Sequence, residues 1–287
     1  MNGTYKISTV EISSLWNRAD VVWRLNPDVN ILSGINGSGK STILSCIANM
    51  LAYGKPPSRL EGLVGDVKIT CENGHVLSRG SSSIAPEQIA ISYVRTFDHG
   101  AEAINTEWIG KYRELICTEL DKIIYNLQRR YVDYQLNISK KVTDILRKDN
   151  SAAAHESIAL LMHQQQQFLE MVDLLFEETG KKIDREQNEV IFSCGKETLT
   201  PYQLSSGEKQ MLIILLTVLV QDGKAAILLM DEPEISLHFD WQKKLIQYTL
   251  ELNPNVQIIL ATHSPAMIME GWLDKVSEVR DLIQNAR

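Results

Sequence analysis

The residues able to do chemistry sit in a few short stretches. Gly34-Ile35-Asn36-Gly37-Ser38-Gly39-Lys40-Ser41-Thr42 has the spacing G-x-x-x-x-G-K-[ST], the pattern of a phosphate-binding loop. Its glycines let the backbone curl so that successive N–H groups point inward, and a following helix turns its positive end toward the anion. Asn36, Gly37, Ser38, Gly39, Lys40, Ser41 and Thr42 are thus the candidate nucleotide-binding residues. Lys40 can reach β- and γ-phosphates, and Ser41 can give a hydroxyl to Mg2+. In Ile227-Leu228-Leu229-Met230-Asp231-Glu232 an apolar run ends in two acids. Asp231 suits Mg2+, held through its water shell, and Glu232 suits the orientation or deprotonation of an attacking water. The two stretches together point to nucleoside triphosphate hydrolysis.

Two further stretches admit two readings each. Ser205-Ser206-Gly207-Glu208 fits a capping box ahead of an apolar helix, and a helix start bearing hydroxyls is also a cradle for a γ-phosphate. In Thr262-His263-Ser264-Pro265, Ser264 and Pro265 fit an N-cap and first helical position. His263 is either a turn residue or a phosphate contact.

These groups need strands and helices to hold them. A mostly apolar run, 29–32, leads into the loop, and Ile43, Leu44, Cys46, Ile47 and Met50 follow at helical spacing up to Gly54 and Pro56-Pro57, so a strand, turn and helix are expected. Residues 6–12, 21–25, 67–71, 76–78 and 89–94 read as further strands, with Asn73-Gly74 as a hairpin turn. His75 is expected exposed beside that turn. From about Asn105, apolar residues recur in steps of three and four for about forty residues, roughly 60 Å of helix. A second helical stretch runs from about Ala152 to Glu178 and ends at Gly180. The pair reads as an antiparallel helical arm, with Gln164–Gln167, His155 and His163 on its exposed surface. Beyond it, 189–193 reads as strand, 204–220 as helix, 225–230 and 256–261 as buried strands flanking a helix over 241–250, and the residues after Pro265 as a last helical stretch. Alternating strands and helices imply a mainly parallel sheet.

Composition narrows the classes. The chain has 287 residues, 44% apolar and 23% charged, with a net charge of −7. It is globular, and its charge argues against a globally basic nucleic-acid binder. Cys46, Cys71, Cys117 and Cys194 are widely spaced with no C-x-x-C pair, as expected of thiols in a reducing compartment. No secretory signal pattern opens the sequence, and the longest apolar run, Met211 to Val220, is too short to span a membrane as a helix. A cytoplasmic protein is expected. Arg129-Arg130, Lys140-Lys141 and Arg147-Lys148 on the arm could touch DNA, but interleaved acids make a solvated face the simpler reading. Trp16 and Trp23 are the aromatics near the N-terminal strands available to contact an adenine base, but each is expected in the core.

Taken in order, the motifs resemble the ABC ATPase superfamily. Gly34–Thr42 matches its Walker A loop and Ile227–Glu232 its Walker B strand. Leu204-Ser205-Ser206-Gly207-Glu208 matches its signature, with Ser206 where a glycine is usual. Ser236-Leu237-His238 falls at the D-loop, and His263 at the switch histidine. Leu-Ser-Ser-Gly-Glu-Lys-Gln and Asp-Glu-Pro-Glu-Ile-Ser-Leu-His look like the RecF/SMC/OLD branch, especially small stand-alone ATPases of bacterial antiphage systems. OLD proteins continue into a Toprim nuclease, whereas 24 residues follow His263, so no such nuclease is expected here. A Q-loop glutamine is not evident: Gln88 precedes its strand, and Thr96 or Asp98 are the substitutes.

The resemblance implies an α/β fold, an ABC-type P-loop ATPase head with a mainly parallel core sheet, an N-terminal antiparallel β subdomain and an inserted antiparallel helical arm. Residues 1–104 and 189–287 would form the two parts of the head, and 105–188 the arm. It implies ATP and Mg2+ as cofactors, Glu232 and His263 as catalytic residues, Ser41 and Asp231 at the metal, and Ser205, Ser206 and Gly207 on the nucleotide of a second subunit. Two heads would close on ATP as a homodimer, and Glu232 would drive hydrolysis that reopens them. The expected role is a switch or sensor controlling a separately encoded effector, a nuclease or toxin, in antiphage defence. The alternatives are a DNA-binding repair ATPase of the RecF kind and a transporter's nucleotide-binding subunit, against which the long insertion argues.

Overall fold

The two fully buried strands lie side by side in one sheet. The computed structural model describes residues 6–79, 90–95, 115–148 and 151–286. Their order is β1 (Ile7–Leu15), β2 (Ala19–Arg24), β3 (Val29–Ser33), α1 (Lys40–Tyr53), β4 (Val67–Cys71), β5 (Val76–Leu77), β6 (Ala90–Arg95), α2 (Glu119–Lys148), α3 (Ala152–Leu175), β7 (Lys181–Ile183), β8 (Phe192–Cys194), β9 (Glu197–Leu199), α4 (Ser206–Leu219), β10 (Ala226–Asp231), α5 (Phe239–Leu252), β11 (Val256–Ala261), α6 (Pro265–Met269), β12 (Val276–Glu278), α7 (Val279–Leu282) and β13 (Ile283–Ala286). They fall into two compact units. One comprises Met1–Thr96, Gly223–Ile246 and Pro254–Arg287, the other Phe97–Asp222 and Gln247–Asn253.

The first unit holds two five-stranded sheets. One is antiparallel in the order β13-β2-β1-β4-β5, and the other is parallel in the order β12-β3-β11-β10-β6. Every residue of β10 and β11 is buried, as a parallel sheet covered on both faces requires. Helix α1 touches strands of both sheets. Ile43, Leu44, Ile47, Met50 and Leu51 of α1 share one core with Val10, Ile12 and Trp23 of the antiparallel sheet and Ile227, Leu229 and Ile259 of the parallel one. The helix stops at Gly54, whose φ of 65° is left-handed and whose N–H returns to the Met50 carbonyl, a conformation glycine adopts without penalty. The Asn73-Gly74 hairpin joins β4 and β5 as expected, with His75 exposed.

The C-terminal segment departs from expectation. In place of one helical stretch, α6 has 5 residues, α7 has 4, and two strands separate and follow them. β12 extends the parallel sheet beside β3, and β13 extends the antiparallel sheet beside β2. Strands this short carry no periodicity of their own. Gly271, at φ 98°, breaks the helical run.

In the second unit α2 and α3 form the antiparallel hairpin. Tyr131 and Phe168, at comparable distances from the connection, pack with ring centres 6.1 Å apart and ring planes tilted by 47°. The first helix begins later than its apolar spacing suggested. Residues 105–114 lie outside the described set, 115–118 are not helical, and α2 opens at Glu119. Asp121 Oδ2 accepts the N–H groups of Cys117 and Thr118 at 3.0 and 2.9 Å, and the Thr118 hydroxyl accepts the Asp121 N–H at 3.2 Å. This reciprocal cap fixes the start. The Gln164–Gln167 tract is not simply an exposed face, because Gln164 donates to the Leu252 carbonyl and Gln165 to the Tyr131 hydroxyl. The single strand expected at 189–193 is instead a three-stranded antiparallel sheet, β7-β8-β9. No described helix is long and apolar enough to cross a membrane.

Candidate nucleotide-binding site

The parallel register decides where the chemistry gathers. Leu32, Ala261, Asp231 and Arg95 pair in one row across β3, β11, β10 and β6. The residues just past the carboxyl ends of these strands therefore converge, where open α/β sheets place their ligands. They are the Gly34–Thr42 loop after β3, Glu232 after β10 and His263 after β11.

A cleft of about 310 Å³ opens there, lined by Trp16, Asn36, Gly37, Gly39, Lys40, Ser41, Thr42 and Glu232. Helix α1 begins at Gly39 with no side-chain cap and no acid in its first turn, so its first N–H groups are open to an anion. The Ser38 hydroxyl is buried without a hydrogen-bond partner among the described residues, a donor that a phosphate oxygen suits. Gly39 has φ 107°, and a Cβ there would lie 2.8 Å from the Trp16 ring. That close approach of backbone to indole requires glycine.

Lys40 is buried, and its ammonium donates to the Gly34 and Ile35 carbonyls at 3.0 and 3.3 Å and contacts His263 Nε2. Burial pulls it below the usual lysine value, against the carboxylates of Glu232, Asp231 and Glu234. The Ser41 hydroxyl donates to Asp231 Oδ1 at 2.8 Å. Burial pushes the Asp231 carboxyl above its ordinary value, opposed by the Ser41 bond, Arg95, Lys40 and Tyr93. A divalent cation would relieve that burial. Ser41 and Asp231 are hard oxygen donors beside one another. This fits Mg2+, which takes one or two protein oxygens and completes its shell with water and phosphate.

Glu232 has φ 50°, a left-handed conformation that costs a non-glycine residue about 1–3 kcal/mol and is found at functional sites. Its N–H is held by the Ala261 carbonyl at 2.8 Å, and its carboxylate lies 3.7 Å from His263 Nε2. The loop, Asp231, Glu232 and His263 are thus brought together in one unit. The signature residues belong to the other unit. Ser205 caps α4, accepting the Glu208 N–H while Glu208 Oε2 accepts from the Ser205 N–H and hydroxyl, both at 2.9 Å. Ser205 and Ser206 are exposed at this helix start, and Gly207 is buried.

Aligned with solved structures, the chain superposes on an SMC head bound to the C-winged helix domain of ScpA with a TM-score of 0.53 at 16% identity, covering 92% of this chain and 91% of that one. The Pyrococcus furiosus Smc head with an extended coiled coil, bound to the C-terminal domain of ScpA, gives 0.50 at 14% identity over the same shares. The fold is that of an SMC head. Residues 173–269 of the head match the family described as "AAA domain, putative AbiEii toxin, Type IV TA system". The head is 24% identical over 176 residues to the "Retron Vc95 probable ATPase" of Vibrio cholerae serotype O1 biovar El Tor, covering 56% of this chain and 34% of that protein. It is 23% identical over 316 residues to the Septu protein PtuA of Bacillus thuringiensis, covering 94% and 74%. It thus spans about a third of the first relative's length and about three quarters of the second's.

Two residues near the site, Tyr93 and Arg95, escaped sequence reasoning. Trp16 packs partly buried against the core and also lines the cleft, while Trp23 is in the core as expected, its indole N–H donating to the Ser277 hydroxyl at 3.1 Å. Tyr93 and Arg95 reach Asp231 only because β6 pairs with β10. The substitutes for a Q-loop glutamine, Thr96 and Asp98, and Gln88 lie outside the described residues. On the arm, Arg129 packs on the Tyr125 ring and Lys141 pairs with Asp222 at 2.7 Å, which commits part of the basic pattern to the head itself.

Proposed function

We propose that the head binds and hydrolyses ATP with Mg2+ and that this cycle works as a switch in antiphage defence, controlling a separately encoded effector. The observation that carries this reading is the convergence of Lys40, Ser41, Asp231, Glu232 and His263 beside the open start of α1. Asn36–Thr42 would hold the phosphates, with Lys40 exchanging its own carbonyl and His263 contacts for phosphate oxygens. Ser41 and Asp231 would hold Mg2+, which when bound would offset phosphate charge. Glu232 would orient and deprotonate water, His263 would contact the γ-phosphate, and the Trp16 face would take the base. Ser205, Ser206 and Gly207 would close on the nucleotide of a second copy. In support, Ile35 is 82% exposed on the loop, and Ile235 and Phe239 are exposed after β10, apolar surface that a second head would cover. The matches to a retron ATPase and to a Septu protein support the defence setting.

The test is ATP turnover together with mass in solution for the wild type, Glu232→Gln and Lys40→Ala, with and without Mg-ATP, after tagged purification from the native host. Turnover by the wild type, an ATP-trapped dimer of Glu232→Gln and no nucleotide binding by Lys40→Ala are expected, with a second protein co-purifying. A monomer in every state would refute the dimer switch, and unchanged ATP affinity in Lys40→Ala would refute the phosphate site.

A further inference from the structure

We infer that Glu234, the second glutamate of Asp231-Glu232-Pro233-Glu234, is a positioning residue that sets His263 against the reacting phosphate. This rests on the ATPase reading above. The Glu234 carboxylate takes both hydrogen bonds through one oxygen: Oε1 accepts the Thr262 hydroxyl at 2.6 Å and the His263 N–H at 2.7 Å. Charge-assisted bonds of this length are short and directional. They grip the His263 backbone at the point where β11 ends, while the imidazole on the same residue reaches Lys40 and Glu232. The helix beyond the turn adds little to hold it, since α6 is 5 residues long and its N-cap Ser264 makes no side-chain capping bond.

The anchor is itself braced. Glu234 sits in a turn whose ends are Glu232 at φ 50° and Ser236 at φ 73°. The Ile235 and Leu237 N–H groups return to the Glu232 and Glu234 carbonyls at 3.1 and 3.0 Å. Gln242 of α5 closes the frame, accepting the Ser264 hydroxyl at 2.5 Å and donating to the Leu237 carbonyl at 3.0 Å. The His263 turn is therefore held from both sides by Glu234 and Gln242, and both hold the Ser236–His238 segment as well. The other carboxylate oxygen, Oε2, is buried and has no hydrogen-bond partner among the described residues. Burying an unpaired carboxylate oxygen is costly, so a side chain kept for stability alone would be a poor choice here. Holding the histidine gives it a purpose.

Glu234→Ala removes the anchor, and Glu234→Gln keeps one carbonyl oxygen to accept both bonds. Each is compared with the wild type and His263→Ala for kcat, for binding of a fluorescent ATP analogue and for amide exchange of the 262–264 segment. The expected result is a kcat lowered about ten- to hundredfold in Glu234→Ala, since small misplacements at a reacting centre cost that much. Analogue affinity stays within about twofold, exchange at His263 accelerates, and Glu234→Gln recovers turnover to within about threefold. The Glu234→Ala/His263→Ala double variant is no slower than His263→Ala, because the two act as one unit. If His263→Ala is slow while Glu234→Ala turns over normally, or if the two losses multiply, this inference is wrong and the ATPase reading stands. If the wild type has no turnover, the ATPase reading falls and this inference with it.

Discussion

Replacing Asp121 by alanine tests how the signature helix is tied to the root of the arm within the second unit. Asp121 is 1% exposed and Lys209, on the first turns of α4, is 8% exposed. Lys209 Nζ lies 2.8 Å from Asp121 Oδ1 but off the axis of a hydrogen bond, so charge holds the pair. Asp121 Oδ2 meanwhile accepts the two N–H groups that start α2. Removing the carboxylate strands a buried ammonium, at about 3–5 kcal/mol, and loses an N-terminal cap, at about 1 kcal/mol. The sum, about 4–6 kcal/mol, is a large part of the roughly 5–15 kcal/mol that separates a folded domain from its unfolded chain. A urea titration followed by far-ultraviolet circular dichroism measures it. Replacing both charges, Asp121→Ala with Lys209→Met, must be milder than Asp121→Ala alone by about 3 kcal/mol, because no lone charge is then buried. A loss under about 1 kcal/mol in Asp121→Ala, or a double variant equal to the sum of the singles, would refute the argument.

Two other outcomes follow from the same reading of burial and geometry. Burial pushes the Glu208 carboxyl up, but the bonds from Lys181, the Ser205 N–H and hydroxyl, and Thr179 together bring it below its ordinary value of 4.5. A carboxyl depressed in the folded state stabilises fully above its unfolded value, and that stabilisation is lost as pH falls through the folded value. Melting temperature should therefore drop more steeply below about pH 4.5 in the wild type than in Glu208→Gln; equal slopes would show that these bonds do not favour the charged form. At the nucleotide cleft, Gly39→Ala must place a Cβ 2.8 Å from the Trp16 ring at φ 107°. It should destabilise the fold by about 2–5 kcal/mol from strain plus overlap, and adding Trp16→Ala should recover the overlap part, as read by thermal denaturation.

Local signals foretold local structure well. The glycine-lysine spacing located the loop and the start of α1, Gly54 its end, Asn73-Gly74 the hairpin, and mostly apolar runs the two fully buried strands. Each is governed by a few adjacent residues: a left-handed glycine, a turn pair, a mostly apolar run. The motif order likewise pointed to the ABC head that the solved SMC structures match in fold. Where stabilisation came from afar, the sequence was silent or misleading. β12 and β13 have 3 and 4 residues and exist as strands only because sheet edges were waiting for them. The opening of α2 at Glu119 was hidden by an apolar rhythm that began earlier, since the Thr118–Asp121 cap rather than periodicity decides it.

The candidate site divides in the same way. Residue types alone pointed to a phosphate loop, a metal-suited serine and aspartate, a base-suited glutamate and a histidine, because each chemistry needs its own functional group at its own spacing. Only the tertiary structure decided that they meet. Leu32, Ala261, Asp231 and Arg95 stand in one row because four strands from distant parts of the chain pair in parallel register. Pairing between strands depends on which surfaces can be buried together, and no stretch of sequence contains that information by itself. The same register brought Tyr93 and Arg95 to Asp231, and the fold of the turn after β10 brought Glu234 to His263.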